Sequence, residues 1–488
     1  MSNQENNAIQ NIEPKEIWKN FAKLNSIPRP SKKEERIREF MVNFGKNLGL
    51  ETVLDSVGNV IIKKPASKGM EDRKTVVLQG HLDMVCQKNN DTDFDFDTQG
   101  IQMYIDGDWV KAKGTTLGAD NGLGVSAIMG ILESRDIAHP PIEALFTIDE
   151  ETGMTGAIGL QAGYLDGEIL LNLDTEDDDE IGVGCAGGID ITGTQKYAIQ
   201  YVHKDAKAFK ITVKGLQGGH SGMDIHKGFG NANKLMNRIL YAIQKDMLIS
   251  EIKGGSLRNA IPRESNAIII TENIEAVKEK FTKISNDIID EYLTIEKDIE
   301  IKIVETEVPK TRMPKDIQEM LLRVVYGIPN GVFRMSPDIE DLVETSNNLA
   351  RIVLENGTIE IACLTRSSVE SGKMDLAYQI KSIFELGKFD VEYSGSYPGW
   401  KPNPNSEIVK LLENIYKDKF KEEPKILACH AGLECGILGT NYPEMDMVSF
   451  GPNIRGAHSP DEKASISSTK KFWNYLLDVL KNIPKKQG

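Results

Sequence analysis

Apolar residues recur at helical spacing from Ile37 through Phe40, Met41 and Phe44 to Leu48, which marks an amphipathic helix. Ser31, with Glu34 three residues on, reads as a capping box at its start, and Gly49 reads as its stop. Beyond it the period changes. Short apolar runs, "VIIKK", "TVVLQG", "IEALFTI" and "EILLNLD", are interleaved with the helical "GVSAIMGILESR". Such runs between helices predict a largely parallel α/β sheet buried on both faces.

Past "GCAGG" near residue 188 the pattern becomes amphipathic strands and longer charged helices. From about residue 397 the α/β pattern returns and closes with "MDMVSFG" and a helix through "KKFWNYLLDVLK". This predicts a discontinuous α/β domain, residues 1–187 and 397–488, interrupted by an α+β domain over residues 188–396. The insertion reads as doubled, because both its halves follow the order αββαβ. Little residue identity links the halves, so two adjacent modules of unrelated origin remain the alternative.

The length of 488 residues requires two or more domains. With 40% hydrophobic and 27% charged residues the chain reads as soluble and globular. A net charge of -15 argues against nucleic acid as a partner, since such binding needs clustered Lys and Arg. No apolar run approaches a membrane span, and the polar, acidic amino terminus does not resemble a signal peptide. Five cysteines without paired-motif spacing point to a reducing compartment, so the expected location is cytoplasmic.

His81 and Asp83 lie two residues apart at one strand end and share a face. This arrangement suits an imidazole metal ligand oriented by an acidic neighbour. Asp120 lies in "GTTLGADNGLGVSAIMG", a glycine-rich turn opening a helix. A phosphate loop is the competing reading, but no Lys follows in the Walker pattern and Asp120 would repel an anion. Glu150 and Glu151 follow "ALFTI", Asp174 ends "ILLNLD", and His458 lies in "SFGPNIRGAHSPDE". Taken singly, the glutamates suit a solvated turn and His458 a hydrogen-bonded loop. The acidic run Glu176 to Glu180 reads as a solvated loop.

Taken together, each of these positions follows an apolar strand or enters a helix, at the edge where open α/β sheets bind ligands. Five carboxylates in one crevice require cations. One cation takes about four N and O ligands. Two cations bridged by Asp120 would each have one His and one terminal carboxylate, leaving one acid as a base and one behind His81. Two metals about 3.5–4 Å apart can hold a water between them and lower its pKa towards 7.

The segments "GHLDMV", "GTTLGADNGLGV", "TIDEETGMTGA", "NLDTED", "GGHSGMDIHKGFGNAN", "RNAIPRE" and "GPNIRGAHSPDE" occur in this order between residues 80 and 462. They resemble the signatures of the dinuclear zinc peptidases of the aminoacylase/carnosinase clan, and among these the bacterial dipeptidases. The resemblance implies a zinc-exopeptidase-like α/β catalytic domain, with the insertion as its lid. It implies two divalent ions per chain, with Zn²⁺ suited to the donors and Co²⁺ or Mn²⁺ able to serve. His81, Asp120, Glu151, Asp174 and His458 would be the ligands, Asp83 the orienter of His81, and Glu150 the general base.

The resemblance further implies that His220 is a lid donor to the substrate carbonyl, and Asn259 and Arg366 hold the substrate backbone and carboxylate. An Arg at a strand end is ordinarily a surface charge, and Arg258, Arg263 and Arg455 compete with Arg366 for the role. His220, Asp224 and His226 also allow a separate metal site. The implied function is hydrolysis of unblocked dipeptides, Xaa-His among them. A tripeptidase, an N-acyl-amino-acid amidohydrolase and a silent peptide-binding relative are the alternatives. The expected partners are small peptides, in a monomer or homodimer. In the monomer, the doubled lid would supply within one chain what a dimer interface supplies to relatives with a single lid module.

Overall fold

The computed structural model describes residues 8–203, 206–403 and 405–486. It divides into two compact units, Met1–Gly184 with Pro402–Ala428 and Glu434–Gly488, and Cys185–Lys401 with Cys429–Leu433. The boundaries read at 187/188 and 396/397 therefore move by a few residues, and 429–433 joins the second unit. Backbone bonds explain that assignment: Ala186 N–H donates to Cys429 O (3.1 Å) and Ala431 O (3.0 Å), and Cys185 N–H to Trp400 O (2.9 Å).

In the first unit an eight-stranded sheet has four parallel strands at its centre, Ile142–Thr147, Val76–His81, Ile169–Asn172 and Asp446–Ser449, in that order. The strands Glu51–Leu54 and Val60–Lys64 extend one edge antiparallel. The four parallel strands are almost wholly buried, which accounts for their continuous apolar sequence. The helix Ala119–Glu133 is buried along nearly its whole length, and the earlier helix Lys15–Asn25 packs against it with Trp18 and Phe21 in the core. A small second sheet, with Ile454–Arg455 and Lys463–Ser465 antiparallel, makes residues 456–462 a hairpin loop.

The helix Glu35–Asn47 buries Ile37, Met41 and Phe44, and Gly49 ends it at φ 72°. The capping box expected at Ser31 does not form. Ser31 Oγ donates to Asp83 Oδ2 (2.7 Å), and Glu34 Oε1 accepts the N–H groups of Lys32 (2.9 Å) and Asp149 (3.0 Å). Tertiary partners have taken both polar groups away from the local motif.

The second unit is built on one nine-stranded antiparallel sheet. Its main order is Glu300–Thr306, Lys207–Lys214, Ser265–Thr271, Leu248–Gly254, Val343–Glu355, Thr358–Ser367, Gly187–Lys196 and Asp390–Tyr397. Read outward from the central pair 248–254 and 343–355, the two halves have the same strand order. Helices Ala232–Ile243 and Ile274–Tyr292 serve the first half, and Lys315–Gly327 and Glu370–Leu386 the second. Each half is thus βαββαβ. The second half takes its first strand, 187–196, from before the first half begins, which the linear pattern concealed. Leu235, Ile239, Phe281, Leu321, Leu376 and Phe384 share one core. No helix among the described residues is long and apolar enough to cross a membrane.

Candidate metal centre

Three adjacent parallel strands end level with one another, because His81 pairs with Thr147 and Gln79 with Asn172. His81 closes its strand, Glu150 and Glu151 follow 142–147, and Asp174 follows 169–172. Asp120 opens the helix Ala119–Glu133, and the 456–462 hairpin loop brings in His458 at φ 63°, a left-handed conformation uncommon outside glycine.

These six side chains converge. Asp120 Oδ1 lies 3.2 Å from His81 Nε2, and its Oδ2 lies 3.2 Å from His458 Nε2. Asp174 Oδ1 is 3.5 Å from His81 Nε2, and Glu151 Oε2 is 3.1 Å from His458 Nε2. Two donor sets result that share Asp120: His81, Asp120 and Asp174, and Asp120, Glu151 and His458, each with its donor atoms within 4.8 Å of one another. Glu150 forms a third such set with His81 and Glu151. Asp83 stands behind His81, with Oδ1 3.4 Å from Nδ1, and is itself fixed by Ser31 Oγ and the N–H groups of Glu150 (3.1 Å) and Glu151 (3.2 Å).

The charge balance favours a cation. Two carboxylate charges about 4 Å apart repel by about 4 kcal/mol at the effective dielectric of such a site. Burial raises the Glu150 carboxyl well above its ordinary pKa, with Asp174, Glu434 and Glu151 adding to it. Burial raises Asp174 as well. Hydrogen bonds to Asp120 and Glu151 push the His458 imidazole up to about 11. Burial would raise Asp83, but the His81 ring holds it down at about 2. Glu151 Oε1 is buried with no hydrogen-bond partner. The nitrogen and oxygen donors of these two sets fit divalent cations.

Supporting groups escaped the sequence reading. Glu462 accepts the N–H groups of Leu117 (2.7 Å), Gly118 (2.9 Å) and Ala119 (2.7 Å), capping the helix that carries Asp120. Gly118 turns this corner at φ 71°, where a Cβ would sit 2.5 Å from the Arg29 guanidinium. Below the donors runs a buried polar row. Gln79 Nε2 donates to Glu434 Oε2 (2.6 Å), Asn172 Nδ2 to Gln79 Oε1 (2.5 Å), and Ser449 Oγ to Asn172 Oδ1 (2.5 Å). Burial pushes Glu434 up to about 7. Carboxylates four residues after His458 and at the start of an apolar helix were the available signals.

The acidic run is not a solvated loop. Glu176 is largely buried, and burial together with Asp120 and Asp174 pushes it up to about 8. Asp178 and Asp179 pair with Lys471 and Lys425 at 2.8 Å, and Asp177 pairs with Arg455.

The expected substrate residues lie in the second unit. His220 Nδ1 accepts the N–H groups of Gly222 (3.2 Å) and Met223 (3.1 Å), so the neutral ring carries its proton on Nε2. Burial and the nearby Arg366 charge lower its pKa, which keeps it a neutral donor. Arg366 is buried rather than a surface charge, with Nη1 donating to Tyr397 Oη (2.7 Å) and Nε lying 3.4 Å from Ser221 Oγ. Asn259 O accepts the Ser221 N–H (2.8 Å), and Asn348 Nδ2 pins both flanking carbonyls. A Cβ on Gly222 would come 2.0 Å from the His430 carbonyl, so this close turn requires glycine. Arg258 is held by Thr192, Cys363 O and Asp190, Arg263 by Leu216 O, and Arg455 by Glu176 O and Asp177. Asp224 accepts from His220 N–H (2.7 Å) and pairs with Lys227. Among the described residues, His220, Asp224 and His226 form no metal-ligating group.

The profile of peptidase family M20/M25/M40 matches residues 77–482. The chain is 43% identical over 482 residues to the cytosol non-specific dipeptidase of Escherichia coli, covering 98% of this chain and 99% of the relative. The crystal structure of aminoacylhistidine dipeptidase from Vibrio alginolyticus superposes with a TM-score of 0.93 at 45% identity, covering 98% of this chain and 99% of the other. Aminopeptidase PepT from Bacillus cereus shares the fold at a TM-score of 0.57 and 16% identity, over 97% of this chain and 99% of that one. The motif resemblance read from the sequence is borne out, and the chain belongs to peptidase family M20/M25/M40.

Proposed function

We propose that the protein is a metal-dependent dipeptidase that hydrolyses unblocked dipeptides, Xaa-His among them. The observation that carries this reading is Asp120, whose two oxygens each lie 3.2 Å from a different histidine. The names of the Escherichia coli and Vibrio alginolyticus relatives support the substrate class, and the first supports a cytoplasmic location.

His81, Asp120 and Asp174 would hold one divalent ion, and Asp120, Glu151 and His458 the other. Zinc suits this donor set, and cobalt or manganese can serve it. When bound, the ions supply Lewis acidity that polarises the substrate carbonyl and makes water a nucleophile near neutral pH. Glu150 accepts the proton of the attacking water and delivers it to the leaving amine. Burial raises its proton affinity, which suits a base that must later return the proton. Asp83 orients His81 through Nδ1.

His220 would donate its Nε2–H to the carbonyl oxygen as negative charge develops there. Arg366 and Asn259 would bind the carboxylate and backbone of the substrate, with Tyr397 and Ser221 fixing the guanidinium. The repeated halves of the second unit support a monomer in which one module does the work of a partner subunit. A homodimer is the other state to test, by following specific activity across dilution.

The test is a panel of dipeptides, tripeptides and N-acetyl amino acids on metal-stripped protein reloaded with Zn²⁺, Mn²⁺ or Co²⁺. Dipeptide hydrolysis restored by metal supports the reading. Preference for tripeptides or N-acetyl amino acids, or activity without metal, refutes it.

A further inference from the structure

The two halves of the nine-stranded sheet give it two equivalent ends. Arg366 lies at the end of the third strand of the second half, opposite Ser346 at the start of the second strand. The counterpart in the first half is the end of strand 265–271, beside the start of strand 248–254. Ile252 pairs with Leu354, so this counterpart lies at the opposite end of the sheet from Arg366. The segment that follows the first strand carries His220 in the first half. In the second half the equivalent segment includes Gln200–Tyr201, which pairs with Thr311–Arg312.

At this opposite end there is an open cavity of about 570 Å³, lined by Tyr201, Lys245, Leu248, Thr271, Arg312 and Lys315 among others. That size lies within the range of small-molecule sites, roughly 300–1,000 Å³. Its lining carries the cations Lys245, Arg312 and Lys315 against the carboxylates Asp246 and Glu272, and among the described residues Glu272 has no ion-pair partner. Asp246 is taken up by Lys280. Among the described residues, Lys245 and Lys315 have no ion-pair partner, and Arg312 donates Nη1 to Met313 O (3.1 Å) and has its remaining donors available. Thr271 Oγ1 donates to Asp246 O (2.6 Å) and Asn273 Oδ1 caps the following helix, so the rim is held in place without the cations. Met247 and Leu248 give the cavity an apolar side.

We infer that this cavity is a second binding site, for the α-carboxylate of a free amino acid or short peptide. The repeat leaves it as the counterpart of the Arg366 site. The choice of ligand class rests on the reading that Arg366 holds the substrate carboxylate, and the cationic lining supports it independently. A planar guanidinium and two ammonium groups in one lining suit a carboxylate next to a small apolar side chain.

The experiment uses the full chain loaded with metal and a diazirine-bearing amino acid with a free carboxylate, compared with its carboxamide. Adducts are mapped by mass spectrometry. Labelling is expected within residues 245–248 or 270–273, displaced by unlabelled leucine, and about tenfold weaker for the carboxamide and for R312Q/K315Q. R312K/K315R, which keeps the charges, is expected to retain labelling and shows that loss in the first variant is not misfolding. Labelling at these positions is expected to persist in R366A, whose turnover tests the other carboxylate reading separately. Adducts absent from these segments, equal labelling by the carboxamide, labelling that survives R312Q/K315Q, or displacement by inorganic phosphate as strong as by leucine would each overturn the proposal.

Discussion

Asp83 Oδ1 lies 3.4 Å from His81 Nδ1, while the opposite ring nitrogen of His81 faces Asp120. The two nitrogens of one imidazole thus face two different carboxylates. Asp83→Asn keeps the shape and removes the charge. Turnover is expected to fall about 10- to 100-fold while metal content stays near that of the parent. Parallel loss of metal and activity in elemental analysis and kinetics would make Asp83 a ligand in effect.

Glu150 is the proposed proton carrier. Glu150→Ala is expected to lower kcat by about 10²–10⁴ and leave metal content near two per chain. Steady-state kinetics with metal analysis reads both, and a fully active variant excludes the assignment.

Glu462 acts on the backbone that presents Asp120. Glu462→Gln leaves one oxygen acceptor for at least three N–H groups. A cost of about 1–3 kcal/mol is expected for a buried donor left unsatisfied. It should appear as a lower melting temperature and weaker metal retention during chelator titration. An unchanged melt and an unchanged chelator midpoint would show that the cap is dispensable.

Arg366 donates to Tyr397 Oη from a buried position. Arg366→Lys keeps the charge but not the planar fork. KM for dipeptides is expected to rise well over tenfold, a loss above about 1.4 kcal/mol, with a smaller effect on kcat. Dipeptide amides, which lack the carboxylate, should show little difference between the two proteins.

His430 is buried in the second unit with Nε2 2.7 Å from Ser346 Oγ, and burial followed by the Arg366 charge lowers its pKa to about 3. Its unfolded value is about 6.5. Protonation therefore favours the unfolded chain, and the stability from the neutral ring is lost as pH falls below 6.5 towards 3. Imidazole nitrogen shifts measured by NMR between pH 8 and 5 should show His430 neutral throughout. A midpoint near 6.5 would contradict this.

The sequence determined the strand-end chemistry. Apolar runs closed by His81, Asp174 and the Glu150–Glu151 pair have to be buried strands, and a parallel sheet brings their ends together. His458 was legible through its flanking motif, and Asp120 through the glycine-rich turn. Tertiary structure decided what depends on distant partners. Ser31 and Glu34 look like a local capping box, but they bond Asp83 and the Asp149 N–H. Gln79, Asn172 and Ser449 stand within apolar strands, and only in register do they form one row ending on Glu434. Arg366 reads as a surface charge, but strand pairing buries it beside Tyr397. A local pattern specifies which face a residue takes. Only the folded chain specifies which group, hundreds of residues away, satisfies it there, because a buried polar atom has to find its partner wherever the fold supplies one.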